Sequence, residues 1–222
     1  MSKELREAYN TIASDYLSKK QPPWSDFLRF LEIINFGKQH TVIDVGAGNG
    51  RNLLGIVADL HIALDLSFDL LLGYVGPVDG QKVAGSLPHL PFRRYSTSSI
   101  ISIAVIHHLS EIEVVPSLIE IKRIGTDEVT LILSVWRRWR SGYKEKLFNA
   151  LKHGKSLDNL VNHDRPWYNS DREVQTTRFY HYYTFRELYH QVSDAGFCID
   201  SSKYLGGKQD DANIFVKLTI KR

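Results

Sequence analysis

The segment Val42-Ile43-Asp44-Val45-Gly46-Ala47-Gly48-Asn49-Gly50-Arg51 constrains this chain more than any other. A short apolar run leads straight into three alternating glycines. Glycine leaves the backbone free to turn sharply and bare enough for a ligand to approach, where any Cβ would intrude. The spacing discriminates further. A dinucleotide-binding loop reads G-x-G-x-x-G, whereas the position three after Gly48 is Arg51. The loop is instead an acid followed by G-x-G-x-G at the tip of a strand.

Around this turn the pattern alternates. Thr41–Val45 reads as a strand and Arg51–Asp59 as the helix after the turn. His61–Leu66 and the short Lys82–Ala84 read as further strands, as do the continuous β-branched runs Ile100–Ile106 and Val129–Trp136. Ser110–Arg123 reads as a helix opened by a Ser110/Glu113 capping box, with Pro116 predicting a kink or a late start. Continuous apolar strands alternating with helices predict a parallel sheet covered on both faces.

The two ends differ from this rhythm. Leu5, Tyr9, Ile12 and Tyr16 recur at helical spacing. Gln21-Pro22-Pro23 breaks that helix, and Ser25 is the expected N-cap of a second one carrying Phe27, Leu28, Leu31 and Ile34, stopped near Gly37. Near the carboxyl terminus, Thr184 and Glu187 form another capping box, and Leu188, Val192 and Ala195 give that helix a buried side. Gly196 suits its left-handed end. Phe197–Tyr204 and Asn213–Ile220, joined through Gly206-Gly207, are expected to pair antiparallel. Residues 137–180 fit neither pattern and predict an insertion at the sheet's carboxyl edge.

Length and composition bound the rest. A chain of 222 residues, 43% hydrophobic and 24% charged, can bury a full core as one domain, 1–222, with the helices of 1–37 covering the site. No apolar run is long enough to span a bilayer, and Met1–Asn10 lacks the apolar core of a signal peptide, so a cytoplasmic protein with no membrane contact is expected. The single cysteine, Cys198, supports no internal disulfide and no cysteine metal site, and no metal is expected. The net charge of +3 says little, but its distribution says more. Arg137, Arg138, Arg140, Lys144, Lys146, Lys152 and Lys155 stand against one acid, Glu145, a patch that suits either a phosphate backbone or a solvated helix face.

The acid-G-x-G-x-G loop resembles the first motif of Rossmann-like methyltransferases. That resemblance implies a seven-stranded, mostly parallel α/β sheet ending in an antiparallel hairpin, with S-adenosylmethionine as cofactor. Gly46, Gly48 and Gly50 would then shape the floor under the methionine moiety, with Asp44 near its ammonium group. Asp65 falls roughly 20 residues on, at a second strand end, where a carboxylate accepts ribose hydroxyls. Ser86 and Leu87 occupy the adenine position, and Ser86 stands where such enzymes often carry an acid. Ser98-Ser99 likewise replaces a usual acid ahead of the fourth strand.

Four further segments narrow the family: Tyr9-Asn10-Thr11-Ile12-Ala13, Pro23-Trp24, Ser102-Ile103-Ala104-Val105-Ile106-His107-His108, and Arg178-Phe179-Tyr180-His181-Tyr182-Tyr183. In this order they resemble the tRNA methyltransferases that esterify 5-carboxymethyluridine at the wobble position. The resemblance covers most of the chain but not residues 137–175. It implies Arg178 as a clamp for the substrate carboxylate and His107 or His108 facing the methyl group. Trp24, Tyr180 and Tyr182 would wall in the base, His181 would add a hydrogen bond, and Arg137, Arg138 and Arg140 would meet tRNA. The resemblance also implies a small zinc-binding activator protein on the sheet edge near Lys82, Val83 and Ala84, beside the exposed-looking run 70–75. Two rivals stay open: a methyltransferase for a quinone or small metabolite, and a non-catalytic scaffold that binds the cofactor without turnover.

Overall fold

The computed structural model describes residues 2–19, 22–139, 143–153, 161–169 and 171–221. Five strands run parallel: β1 (Gln39–Val45), β2 (Ala58–Asp65), β3 (Gln81–Ala84), β4 (Thr97–Ile103) and β5 (Gly125–Trp136). A separate antiparallel pair follows, β6 (Asn162–Tyr168) and β7 (Val174–His181). The chain ends in β8 (Phe197–Leu205) and β9 (Asn213–Ile220). The main sheet has the order β3-β2-β1-β4-β5-β9-β8, with β9 antiparallel to both neighbours. From β1 the chain builds outward first through β2 and β3, then on the other side through β4 and β5. That reversal opens a crevice beyond the carboxyl ends of β1 and β4, the place where ligands bind in such sheets.

Alternation within each strand distributes its side chains between two cores. On one face, Ile43, Val45, Ile100 and Leu131 pack with Val114, Leu118 and Ile121 of α4 (Glu111–Ile124) and Leu188 and Val192 of α6 (Phe185–Asp194). On the other, Val42, Ile101, Ile132 and Phe215 meet Phe27, Phe30 and Leu31 of α2 (Ser25–Ile33). Phe30 and Phe215 lie with ring centroids 5.4 Å apart and both are fully buried. Burying each such ring contributes about 1.5–3 kcal/mol, so α2 is anchored by its apolar stripe.

α1 (Ser2–Lys19) lies against α3 (Phe68–Leu72) and β7. α5 (Tyr143–Lys152) and the β6–β7 hairpin make up the described part of the insertion. No helix among the described residues is long and apolar enough to cross a membrane.

Several expectations are corrected. The stretch after the glycine loop is a single 3-10 turn, Arg51–Gly55, because β2 begins at Ala58 and leaves no room for a longer helix. Trp24, not Ser25, is the N-cap of α2, and Ile34 is its C-cap, so the helix ends before Gly37. α4 starts at Glu111 and runs through Pro116 without a late start. In the run 70–75, Leu70 and Leu71 are buried against the core, and Leu72 is the exposed one.

Candidate active site

A cavity of about 420 Å³ opens at the switch point between β1 and β4, within the range of ligand pockets in general. Gly46 and Gly48 line one wall with Asp65, and His107, His108 and Arg178 line the opposite side. An apolar slot continues from it between the β1 and β3 ends, reaching Ser86 and Leu87.

The glycine end is built by backbone. Gly46, Gly48 and Gly50 have φ of +81°, +57° and +74°. A Cβ on Gly50 would overlap the Tyr74 ring, whereas one on Gly48 would only come into ordinary van der Waals contact with Tyr16, its hydroxyl 3.7 Å away, and Leu70. Gly48 therefore keeps the cavity floor bare, and Gly50 lets the loop close on its neighbours.

Asp65 is buried at the tip of β2. Its Oδ2 accepts from the Gly48 N–H at 2.7 Å and its Oδ1 from the Ser67 N–H at 2.8 Å. Burial pushes its pKa up to about 6, against the pull of those backbone donors. With the Leu66 N–H as a third backbone donor, about one of the four lone-pair sites of the carboxylate is left for a hydroxyl. Asp44 stands behind the loop, not among the lining residues, with Oδ2 buried and lacking a hydrogen-bond partner among the described residues. Burial raises its pKa well above the carboxylate range, and the neighbouring Asp65 adds to that. A bare glycine cradle, an unsatisfied buried carboxyl and a second carboxylate on the next strand fit a cationic amino-acid end and a ribose.

The far end is aromatic. Arg178, on β7, is 8% exposed. Its guanidinium lies 4.7 Å from the Trp167 ring centroid, 5.3 Å from Tyr180 and 5.6 Å from Tyr9. Its Nε has no hydrogen-bond partner among the described residues, and no described carboxylate forms an ion pair with it. Trp136 stacks on Tyr180 at 4.5 Å, and Tyr180 stacks on His107 at 5.1 Å.

The two histidines differ. The Phe179 carbonyl lies 2.7 Å from His108 Nδ1 and can only accept, so Nδ1 carries the hydrogen and Nε2 accepts from the Tyr9 hydroxyl at 2.8 Å. Burial pulls the His108 pKa down to about 4, with Arg178 adding to the effect. His107 is also held neutral, by burial and then by His108 and Arg178, and its Nδ1 has no partner among the described residues.

The remaining expected residues divide. Trp24 lines the cavity, its N–H donating to Asn52 Oδ1 and its ring on Phe215. Tyr182 lies behind Trp136 and its hydroxyl accepts from Arg165. His181 is taken up by Glu187 and Asn162. Alternation along β7 sends Arg178 and Tyr180 inward and His181 outward. Arg137 pairs with Asp211 and covers the Tyr204 ring, and Arg138 binds Glu187 and the Tyr182 carbonyl. Neither arginine lines the cavity. Arg140 and Lys155 lie outside the described residues.

Four aromatic lining residues are not among those that the sequence singles out for the site: Tyr9, Tyr16, Trp136 and Trp167. Tyr9 and Tyr16 read as core members of an apolar stripe. Trp136 ends β5, so its position at a strand's carboxyl tip was the available signal. Trp167 lies in the insertion, where no pattern was legible. Its indole N–H donates to Asp15 at 2.6 Å, tying the hairpin to α1.

No family model matches the chain. Among curated proteins it is 27% identical over 190 residues to a protein of Encephalitozoon cuniculi (strain GB-M1) provisionally named a methyltransferase, covering 85% of this chain and 84% of that one. It is 34% identical over 136 residues to the tRNA (carboxymethyluridine(34)-5-O)-methyltransferase ALKBH8 of Mus musculus, covering 60% of this chain and 20% of that protein. The Saccharomyces cerevisiae (strain ATCC 204508 / S288c) enzyme named for the same reaction is 33% identical over 109 residues, 48% of this chain and 38% of its own. The chain thus spans well under half of these two tRNA methyltransferases. Among solved structures, the complex of the Haloferax volcanii Trm112 methyltransferase activator with a methyltransferase superposes with a TM-score of 0.70 at 14% identity, covering 98% of both chains. The DhpI–SAH complex superposes with a TM-score of 0.66 at 14% identity, covering 99% and 97%. Such identities show the fold alone. The chain has the Rossmann-like fold of these methyltransferases and over part of its length is similar in sequence to proteins named tRNA carboxymethyluridine methyltransferases.

Proposed function

We propose that this protein methylates the carboxylate of 5-carboxymethyluridine at the wobble position of tRNA. The observation that carries the substrate class is Arg178: a guanidinium 8% exposed, without a carboxylate partner among the described residues, on the wall of the cavity that the glycine loop floors. A buried cation with no ion-pair partner among the described residues calls for an anion from a ligand. The names of the mouse and yeast relatives supply the particular anion.

S-adenosylmethionine supplies an electrophilic methyl when bound. Gly46, Gly48 and Asp65 hold its nucleoside and methionine ends, with Asp44 behind them. A carboxylate with a pKa of about 4 is already ionised at neutral pH, so no residue has to remove a proton. Arg178 pairs with the two carboxylate oxygens, and the rings of Trp24, Trp136 and Tyr180 wall in the base. His108, with both nitrogens engaged, fixes Tyr9 and thereby α1. His107 lines the same cavity and is the group proposed to orient the substrate. The helices of 1–37 and the insertion 137–180 form the substrate side of a single domain.

The edge strand β3, with exposed Phe68 and Leu72 on the adjoining α3, is the proposed seat of an activator protein; that such a partner exists is supported by a structural neighbour solved in complex with an archaeal Trm112 activator. The test is incubation of the protein with such an activator, S-adenosylmethionine and tRNA bearing 5-carboxymethyluridine, followed by mass spectrometry of the digested nucleosides. A methyl ester on the wobble nucleoside is expected. No mass gain with the activator present, or transfer to a small quinone instead, refutes the substrate.

A further inference from the structure

The slot that leaves the main cavity beyond Gly46 is walled by aliphatic side chains, Leu5, Leu64, Leu87 and Leu109 among them. Three polar side chains line it: Ser86, His108 and Glu113. His108 contributes no free nitrogen, since Nδ1 faces the Phe179 carbonyl and Nε2 the Tyr9 hydroxyl. Glu113 lies in the first turn of α4, where its Oε2 accepts from both the N–H and the hydroxyl of Ser110. That leaves Oε1 without a hydrogen-bond partner among the described residues. The slot therefore combines apolar walls with a hydroxyl at Ser86 and a carboxylate, Glu113, held in place by a helix cap.

We infer that Glu113 is the residue by which this site selects an adenine base, its Oε1 accepting a hydrogen bond from the exocyclic amino group. The inference rests on the cofactor reading above. A carboxylate oxygen only accepts. It is complementary to a base edge carrying an amino group and repels one carrying a carbonyl oxygen, as in hypoxanthine. Ser86, the residue that sequence placed at the adenine edge, contributes a rotatable hydroxyl that both donates and accepts and so discriminates weakly. Discrimination between the two purines thus falls to a side chain on the helix after β4, not to the loop after β3. A hydrogen bond to a charged group in a closed site accounts for roughly tenfold or more in affinity.

Glu113→Gln tests this sharply. The glutamine carbonyl keeps the acceptor that Ser110 needs, since glutamine also completes this helix start, and its amide NH₂ replaces Oε1 in the slot. An acceptor becomes a donor with little change of shape. By calorimetry, wild-type protein is expected to bind S-adenosylhomocysteine at least tenfold more tightly than its 6-oxo counterpart, S-inosylhomocysteine. Glu113→Gln is expected to weaken the adenosyl ligand by about tenfold and to narrow or invert the ratio, with thermal stability held. Ser86→Ala is expected to leave the ratio unchanged. A wild-type ratio near one overturns the inference without any variant, as does Glu113→Gln binding both ligands as wild type does. If wild type binds neither ligand, the cofactor reading itself fails.

Discussion

Arg178→Met separates a functional from a structural arginine, because the two readings predict opposite signs for stability. The guanidinium is nearly buried, lacks an ion pair among the described residues and rests on the rings of Trp167, Tyr180 and Tyr9. Each cation–π contact is worth about 0.5–2 kcal/mol, and removing the charge from water costs several kcal/mol that no anion among the described residues offsets. Methionine fills similar volume and removes the desolvated charge. Three rings sharing one guanidinium contribute near the low end of that range, about 2 kcal/mol together, so the balance favours the variant by about 1 kcal/mol, and for a domain of this size that raises Tm by roughly 2–4 °C. The loss of a charge-assisted fork on the substrate carboxylate, about 1.5–3 kcal/mol, lowers kcat/KM for tRNA methylation by roughly 10- to 150-fold. Affinity for S-adenosylhomocysteine, held at the other end of the cavity, stays within about twofold. Differential scanning calorimetry, ligand calorimetry and a tritium-transfer assay on tRNA read the three quantities. A fall in Tm with methylation intact would show that Arg178 is held by the fold for its own sake, and the clamp assignment would be wrong.

Three further outcomes follow from the site. Asp65 has an ordinary pKa of 3.8 raised to about 6 by burial, so the folded protein keeps a proton there that the unfolded chain releases. Its stability contribution is greatest below pH 4 and is lost as pH rises through 6, by roughly 3 kcal/mol. Affinity for a ligand whose hydroxyls donate to the ionised carboxylate climbs over the same window and levels above it; calorimetry of S-adenosylhomocysteine from pH 5 to 8 reads the slope, and an unchanged slope in Asp65→Asn refutes the assignment. Gly48→Ala is expected to weaken cofactor binding with only about 1–2 kcal/mol of destabilisation from its positive φ. Gly50→Ala, whose methyl meets Tyr74, destabilises more, so equal effects of the two on stability and binding would sink the division of labour within the loop. Tyr9→Phe leaves His108 Nε2 unsatisfied at a cost of about 1–3 kcal/mol and is expected to speed hydrogen exchange across α1; unchanged exchange there would mean that the bond does not hold the helix.

The sequence carried the sheet well because each strand announces itself through its own side chains. Ile100 and Ile101 alternate between two cores, and a β-branched run with no polar interruption has nowhere to lie but inside. The glycine loop and Asp65 were legible for a similar reason, since backbone conformation and strand-end position are local properties. The stretch after Gly50 was misread because its helical pattern competes with the start of β2 at Ala58, and a pairing partner distant in sequence decides that contest. The aromatic end was legible only in part. Arg178 and Tyr180 fall on one face of β7 by alternation, but Trp167 reaches the cavity through a hairpin whose register, Trp167 opposite Thr176, no local pattern encodes. Arg137 and Arg138 looked like a basic surface because Asp211 and Glu187, which take up their charge, lie 74 and 49 residues away.

The charges of the cavity are arranged by sign, and the arrangement bears on how Arg178 acts. Two buried carboxyl groups stand at the glycine end and, at the aromatic end, one guanidinium without an ion pair among the described residues. Each is costly alone and each is relieved by a ligand of opposite sign. In the proposed reaction a sulfonium and a carboxylate become a thioether and an ester, so both charges diminish toward the transition state. Arg178 therefore holds the carboxylate more strongly before transfer than during it. An interaction stronger in the ground state is felt in KM more than in kcat. With Arg178→Met, most of the loss in kcat/KM is expected as a raised KM for tRNA substrate, and single-turnover rates at saturating substrate fall by less than about tenfold. A loss confined to the saturated rate, with KM unchanged, would mean that Arg178 instead contacts charge that develops during transfer, and the carboxylate would have to bind elsewhere in the cavity.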